Sequence, residues 1–270
     1  MQNKLMKYFD KNKKYAVDLV SKLIEIPTVN PPGENYEEMT DFLESECRKL
    51  KLVTRKYITP KSVLDKHRVR GGSKRVSLVA DLNAGCKKIL HINSHYDVVP
   101  ATDNWKTDPF KAIVKGGRVY GRGSEDMKGN IASVLFALKA LKDCGINPKI
   151  NIQLSFTPDE EIGGRTGLGY LVEKGLVKAD YAMSEGCSGN YISIGNKGVL
   201  WAEIEVIGKS AHGSMPYKGV NSFERMNMLV NELENLKNKI LRRKTRHNMR
   251  DTISKNPSFV MGGLLEGGVK

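Results

Sequence analysis

MKGNIASVLFALKALKDCGINPKINIQLSFT, residues 127–157, changes its period halfway along. From Met127 to Asp143 the apolar residues Ile131, Val134, Leu135, Leu138 and Leu141 recur on one helical stripe, and Gly145 stands where a helix C-terminus needs its stop. From Ile150 to Thr157 the apolar residues Ile150, Ile152, Leu154 and Phe156 alternate with polar neighbours, the period of two that marks a strand. Lys88 to Ser94, upstream of the helix, reads as another strand. Strand, helix, strand returns the chain in its starting direction, so the two strands pair in parallel.

The same grammar extends both ways. A helix over Leu168 to Glu173 and a short strand over Asp180 to Ser184 repeat the unit, and Val76 to Leu82 supplies a further strand. Ahead of these, helical spacing runs from about Leu5 to Ile26 until Pro27 stops it; the loop TVNPPGENYEE leads into a second amphipathic helix, Tyr36 to Leu50. This predicts an α/β fold, a mostly parallel sheet with helices on both faces, whose ligands bind beyond the carboxyl ends of the strands. Around Gly195 to Gly198 the character shifts. Val199 to Ile207 alternates as a strand with one wet face, Asn221 to Leu241 is helical, and Ser258 to Leu264 reads as another strand. The expected division is 1–197 and 198–270, the second part being the start of a smaller α+β domain.

Composition excludes several classes. The 270 residues are 40% apolar and 27% charged, ordinary usage for a globular chain, and no stretch reaches the ~18 apolar residues of a membrane span. The charged, amphipathic N-terminus lacks the apolar core of a signal peptide, so the expected location is the cytoplasm. Cys47, Cys86, Cys144 and Cys187 form no C-x-x-C pair, which speaks against a disulfide framework and a thiolate metal site. The net charge of +14 is dispersed. Its one dense run, RRKTRHNMR at 242–250, follows a helix without interleaved aromatics and reads as a solvated face, so neither nucleic acid nor membrane is expected as a partner.

Acidic and histidine residues gather where the strands run out: His95 and Asp97 in SHYDVVP, Asp126 in GRGSEDMKG, Glu160 and Glu161 in PDEEIGG, and Glu185 in SEG. Each costs desolvation energy unless paired, and a shared metal ion is the simplest common partner. His95 and Asp97, two apart on a strand, face the same way, which makes a ligand and the carboxylate that orients it. His91 lies four residues back, about 13 Å away at ~3.3 Å per strand residue, and is read as structural. The two oxygens of Asp126 can bridge a pair of cations. Glu160 and Glu161, adjacent in extended backbone, point apart, so that one binds metal and the other acts as general base on a water. Imidazole and carboxylate without thiolate favour zinc, with cobalt or manganese as alternatives.

At these residues the sequence resembles the M20 family of metallopeptidases and deacylases, which includes acetylornithine deacetylase, succinyl-diaminopimelate desuccinylase, aminoacylase-1 and carboxypeptidase G. SHYDVVP, GRGSEDMKG, PDEEIGG and GKSAHGSMP occur in family order. The resemblance implies a zinc-exopeptidase-like fold with a lid or dimerisation domain. It also implies metal-dependent hydrolysis of the amide bond of N-acyl amino acids or small peptides. By position it makes His95, Asp126 and Glu185 the ligands of a first ion, and Asp126 and Glu161 those of a second. Glu160 becomes the general base and Asp97 the orienter of His95. His212, in GKSAHGSMP, becomes the lid histidine that stabilises the oxyanion in a homodimer formed through the lid.

By the same resemblance, the family's last ligand to the second ion is a histidine in a returning C-terminal segment that lies beyond Lys270. One or two ions per chain are therefore expected, the first held well and the second weakly. The alternative expectation is a family member inactive alone that needs a complementary C-terminal half.

Overall fold

The computed structural model describes residues 2–184, 197–247, 249 and 255–262, which fall into two compact units, Met1–Ile192 and Ser193–Lys270. In the first, helix α1 (Gln2–Glu25) and helix α2 (Tyr36–Lys49) precede strand β1 (Val53–Ile58) and the short helix α3 (Lys61–Lys66). Strands β2 (Val76–Leu82) and β3 (Ile89–His95) follow, then the small hairpin β4 (Ile113–Lys115) and β5 (Arg118–Tyr120). Helix α4 (Lys128–Asp143), strand β6 (Asn151–Thr157), helix α5 (Leu168–Glu173) and strand β7 (Tyr181–Met183) complete the unit.

The sheet order is β1-β2-β6-β3-β7. β6 pairs in parallel with β3, which pairs in parallel with β7, while β2 runs against both of its neighbours. Four of the five strands thus share one direction, and the strand–helix–strand reading of 88–157 gives the parallel pair it predicts. Register sorts the faces. Leu78, Ala80, Ile152, Leu154 and Phe156 lie on one face and join Leu23, Ile24, Met39, Leu43, Ile131 and Leu135 of the helices in a single buried core. Each of the larger of these side chains contributes roughly 1.5–3 kcal/mol by leaving water. Phe136 of α4 is ringed by Tyr8, Phe9 and Tyr15 of α1 at centroid distances of 6.1, 5.1 and 5.8 Å.

The opposite face is polar and still buried. His91 lies opposite Gln153, Asn93 opposite Ser155, and His95 opposite Thr157. The His91 ring bonds Gln153 Oε1 at 3.0 Å and Ser155 Oγ at 2.9 Å, and Asn93 Nδ2 donates to Ser155 Oγ and Thr157 Oγ1. His91 is therefore a core histidine with both nitrogens engaged.

In the second unit, helix α6 (Ser222–Leu241) starts at Asn221, whose side-chain oxygen accepts from the N–H of Phe223 and Glu224. The strand expected at 199–207 does not form; the described residues of this unit hold only an isolated bridge, Lys209 to Val220. Alternation supplies two faces, but a strand exists only when a neighbour takes its backbone hydrogen bonds, and among the described residues none pairs with 199–207. No helix among the described residues is long and apolar enough to cross a membrane.

Candidate metal centre

Because β3 and β6 are parallel neighbours, their carboxyl ends open on the same side, and the chemistry-bearing residues gather there. His95 closes β3 and is almost fully buried, at 1% exposure. Its Nδ1 lies 3.0 Å from the main-chain carbonyl of Asp97 and 3.4 Å from the Asp97 carboxylate. A carbonyl can only accept, so Nδ1 carries the proton and the lone pair is left on Nε2. That nitrogen points outward, 3.0 Å from Asp126 Oδ1 and 3.8 Å from Glu160 Oε2.

Asp126 precedes α4, whose first turn it does not cap: Met127 holds the cap position, with no side-chain cap bond. The Asp126 carboxylate is two-thirds exposed. Glu160 to Ile162 form a single 3₁₀ turn, not the extended backbone expected from the sequence. Three residues per turn still send the two glutamate side chains in different directions. The turn is held by Asp97, whose fully buried carboxylate accepts the backbone N–H of Glu160 at Oδ1 and of Glu161 at Oδ2, each across 3.2 Å.

Ligand atoms of His95, Asp126 and Glu161 all lie within 4.8 Å of one another. Partial burial is the largest influence on the Glu161 carboxyl; the nearby Asp126, Asp97 and Glu160 add to it, against the pull of His95, and together they push it up to about 7. Crowded carboxylates facing an imidazole lone pair suit a hard or borderline divalent cation, which would relieve that repulsion. The donor set fits such an ion. Glu185 lies outside the described residues. His212 sits in the second unit, exposed, its Nδ1 accepting the backbone N–H of Ser214 at 3.2 Å and bonded to Ser214 Oγ at 2.8 Å.

Three residues around the site have no role in the sequence-based expectation, although Asp159 lies inside PDEEIGG and Asn30 inside TVNPPGENYEE. Asp159, Asn30 and Arg75 are all buried behind the 160–161 turn. The only local hint is an aspartate directly before the glutamate pair; the partners of that aspartate lie 84 and 129 residues away, beyond any periodicity.

A sequence profile described as Peptidase family M20/M25/M40 matches residues 91–237, more than half of the chain. An uncharacterised metallohydrolase of Methanocaldococcus jannaschii is 36% identical over 82% of this chain and 56% of its own length. A probable succinyl-diaminopimelate desuccinylase of Staphylococcus aureus is 28% identical over 88% of this chain and 56% of its own. Among solved structures, an M20 family metallo-carboxypeptidase of Sulfolobus solfataricus matches with a TM-score of 0.54 at 28% identity, covering 64% of this chain and 37% of that one. The chain spans a little over half the length of the curated relatives it matches.

Proposed function

We propose, from the premise that this chain belongs to peptidase family M20/M25/M40, that it carries the metal centre of a hydrolase acting on the amide bond of N-acyl amino acids or small peptides. The observation that carries the reading is the meeting of His95, Asp126 and Glu161 ligand atoms within 4.8 Å at the carboxyl ends of two parallel strands. Zinc is the proposed ion, with cobalt or manganese as substitutes. His95 would hold it through Nε2, Asp126 through one or both oxygens, and Glu161 through its carboxylate; Glu185 is the proposed further ligand.

A divalent ion there would polarise the scissile carbonyl and acidify a water. The remaining work falls to side chains. Glu160, half exposed beside His95 Nε2, is suited to take the proton of the attacking water and return it to the departing amine. Asp97 fixes the His95 tautomer through its carbonyl and the 160–161 turn through its carboxylate.

His212 has the opposite tautomer to His95. With Nδ1 accepting from Ser214, the proton sits on Nε2, the donor that a developing oxyanion needs. We assign it that role, within a homodimer formed through the second domain, residues 198–270. The location proposed for the protein is the cytoplasm.

Hydrolysis of N-acetyl and N-succinyl amino acids and of dipeptides, with added Zn²⁺ or Co²⁺, tests the reading. Activity that needs the ion and drops about 10²–10⁴-fold in Glu160→Gln supports it. Metal-independent hydrolysis, or a Glu160→Gln variant as active as the parent, refutes it.

A further inference from the structure

Behind the Glu160–Glu161 turn lies a buried assembly of polar side chains. Asp159 enters the turn with φ +65°, a left-handed backbone that is uncommon outside glycine, asparagine and aspartate. Its carboxylate is sealed from solvent and takes four side-chain donors: Arg75 Nε at 3.1 Å, Asn30 Nδ2 at 3.1 Å, Tyr36 Oη at 3.2 Å and Thr166 Oγ1 at 2.5 Å. The amide of Asn30 donates also to Asp97 Oδ2, at 2.9 Å. One side-chain amide thus ties together the two aspartates that hold the turn, one at its entry and one at its backbone N–H groups.

Arg75 is the centre of this assembly. At 2% exposure, its guanidinium donates to the carbonyls of Gly71, Ser73 and Pro32 at 2.5, 2.9 and 2.5 Å, as well as to Asp159, and lies over the Tyr36 ring. The surrounding chain is shaped to admit it. Gly33 has φ +93°, and a Cβ there would come within 2.8 Å of the Arg75 guanidinium. A lysine would keep the charge and lose the planar fork that reaches three carbonyls and a carboxylate together.

We propose that Arg75 is a positioning residue of the metal centre, acting through Asp159 and Asn30 to hold the Glu160–Glu161 turn at ligand distance from His95 and Asp126. This rests on the metal reading given above. Outer partners of metal ligands typically contribute 10–100-fold in affinity. Arg75 stands one step further out, and it stiffens the backbone that presents a ligand, not the ligand itself.

The test uses the full chain and Co²⁺ as probe, reading the dissociation constant by titration and the geometry by the visible d–d absorption. Arg75→Lys is expected to weaken Co²⁺ binding about tenfold and to change the absorption envelope. Tyr36→Phe, which removes one donor to Asp159 and keeps the ring under Arg75, is expected to weaken it less, in the same direction. Leu135→Ala, a core truncation in α4, is the control: it should lower the unfolding temperature and leave the Co²⁺ affinity and spectrum of the folded protein unchanged.

Wild-type affinity and spectrum in both Arg75→Lys and Tyr36→Phe would overturn the assignment, as would an equal loss of affinity in Leu135→Ala, which would mark a general stability effect. If Arg75→Lys does not fold, Tyr36→Phe against Leu135→Ala decides. Failure of the unaltered chain to bind Co²⁺ would instead strike the metal reading itself, and this inference with it.

Discussion

The Asp97 carboxylate and the Glu161 main chain are joined by a hydrogen bond, N–H to Oδ2 at 3.2 Å, with its twin running from the Glu160 N–H to Oδ1. An acceptor at the end of one strand therefore holds the turn that follows its neighbour. Truncating it, as in Asp97→Ala, leaves two backbone N–H groups and the Asn30 amide short of a partner. At roughly 1–3 kcal/mol for each buried unsatisfied group, the loss should reach about 3 kcal/mol or more. Asp97→Asn keeps one acceptor oxygen and should lie between the two. Urea denaturation of the metal-free chain measures both; equal stability of Asp97→Ala and the parent would contradict the arrangement.

Metal binding should depend on His95 and Asp126 far more than on their supports. Either residue changed to alanine removes a donor outright, so the fall in Zn²⁺ affinity should exceed the roughly 10–100-fold seen for outer-shell changes. Calorimetric titration reads this directly. Glu125→Ala, at the exposed residue beside Asp126, should bind like the parent.

The pH dependence of stability has a source in His91. Burial, its largest influence, holds the imidazole below the ordinary value of 6.5, against the Gln153 hydrogen bond and the Asp81 charge, which act upward. The unfolded chain then binds a proton that the folded chain resists, so stability falls as pH drops below about 6.5 and is recovered above it. Unfolding midpoints between about pH 5 and pH 7.5 should show a shallower acid loss in His91→Gln than in the parent. An unchanged slope would show that some other group governs the acid limb.

The helical face of the sheet should respond as a close-packed core does. Leu135→Ala or Ile131→Ala, both at fully buried positions, should each cost about 2–5 kcal/mol, measured by thermal or denaturant unfolding. Met6→Ala, on the exposed part of α1, should cost a small fraction of that.

What the sequence made legible follows from how far each signal reaches. Periodicity is local, so α4, β6 and α5 emerge with boundaries within a residue or so of those observed. Strand β1 was missed. Its Arg55 and Lys56 interrupt the apolar alternation, and Val53 and Ile58 are more than half exposed, which is how an edge strand is built. The three-residue strands β4 and β5 are too short to carry a period at all. At the site, His95, Asp97, Asp126, Glu160 and Glu161 announce themselves because charge at a strand end is conspicuous. Asn30 and Arg75 do not, since a buried polar side chain is recognisable only by partners the fold brings to it.

The polar side of the sheet has a consequence for how the chain finds its pairing. Sliding β3 by one residue against β6 would turn His91, Asn93 and His95 into the greasy layer beneath α4 and strand Gln153, Ser155 and Thr157 without mates. A misaligned hydrophobic pair loses little, whereas a misaligned row of amides, hydroxyls and an imidazole is penalised at every rung. The row thus proofreads strand alignment over its whole length, and the last rung it checks is the one that sets His95 in place.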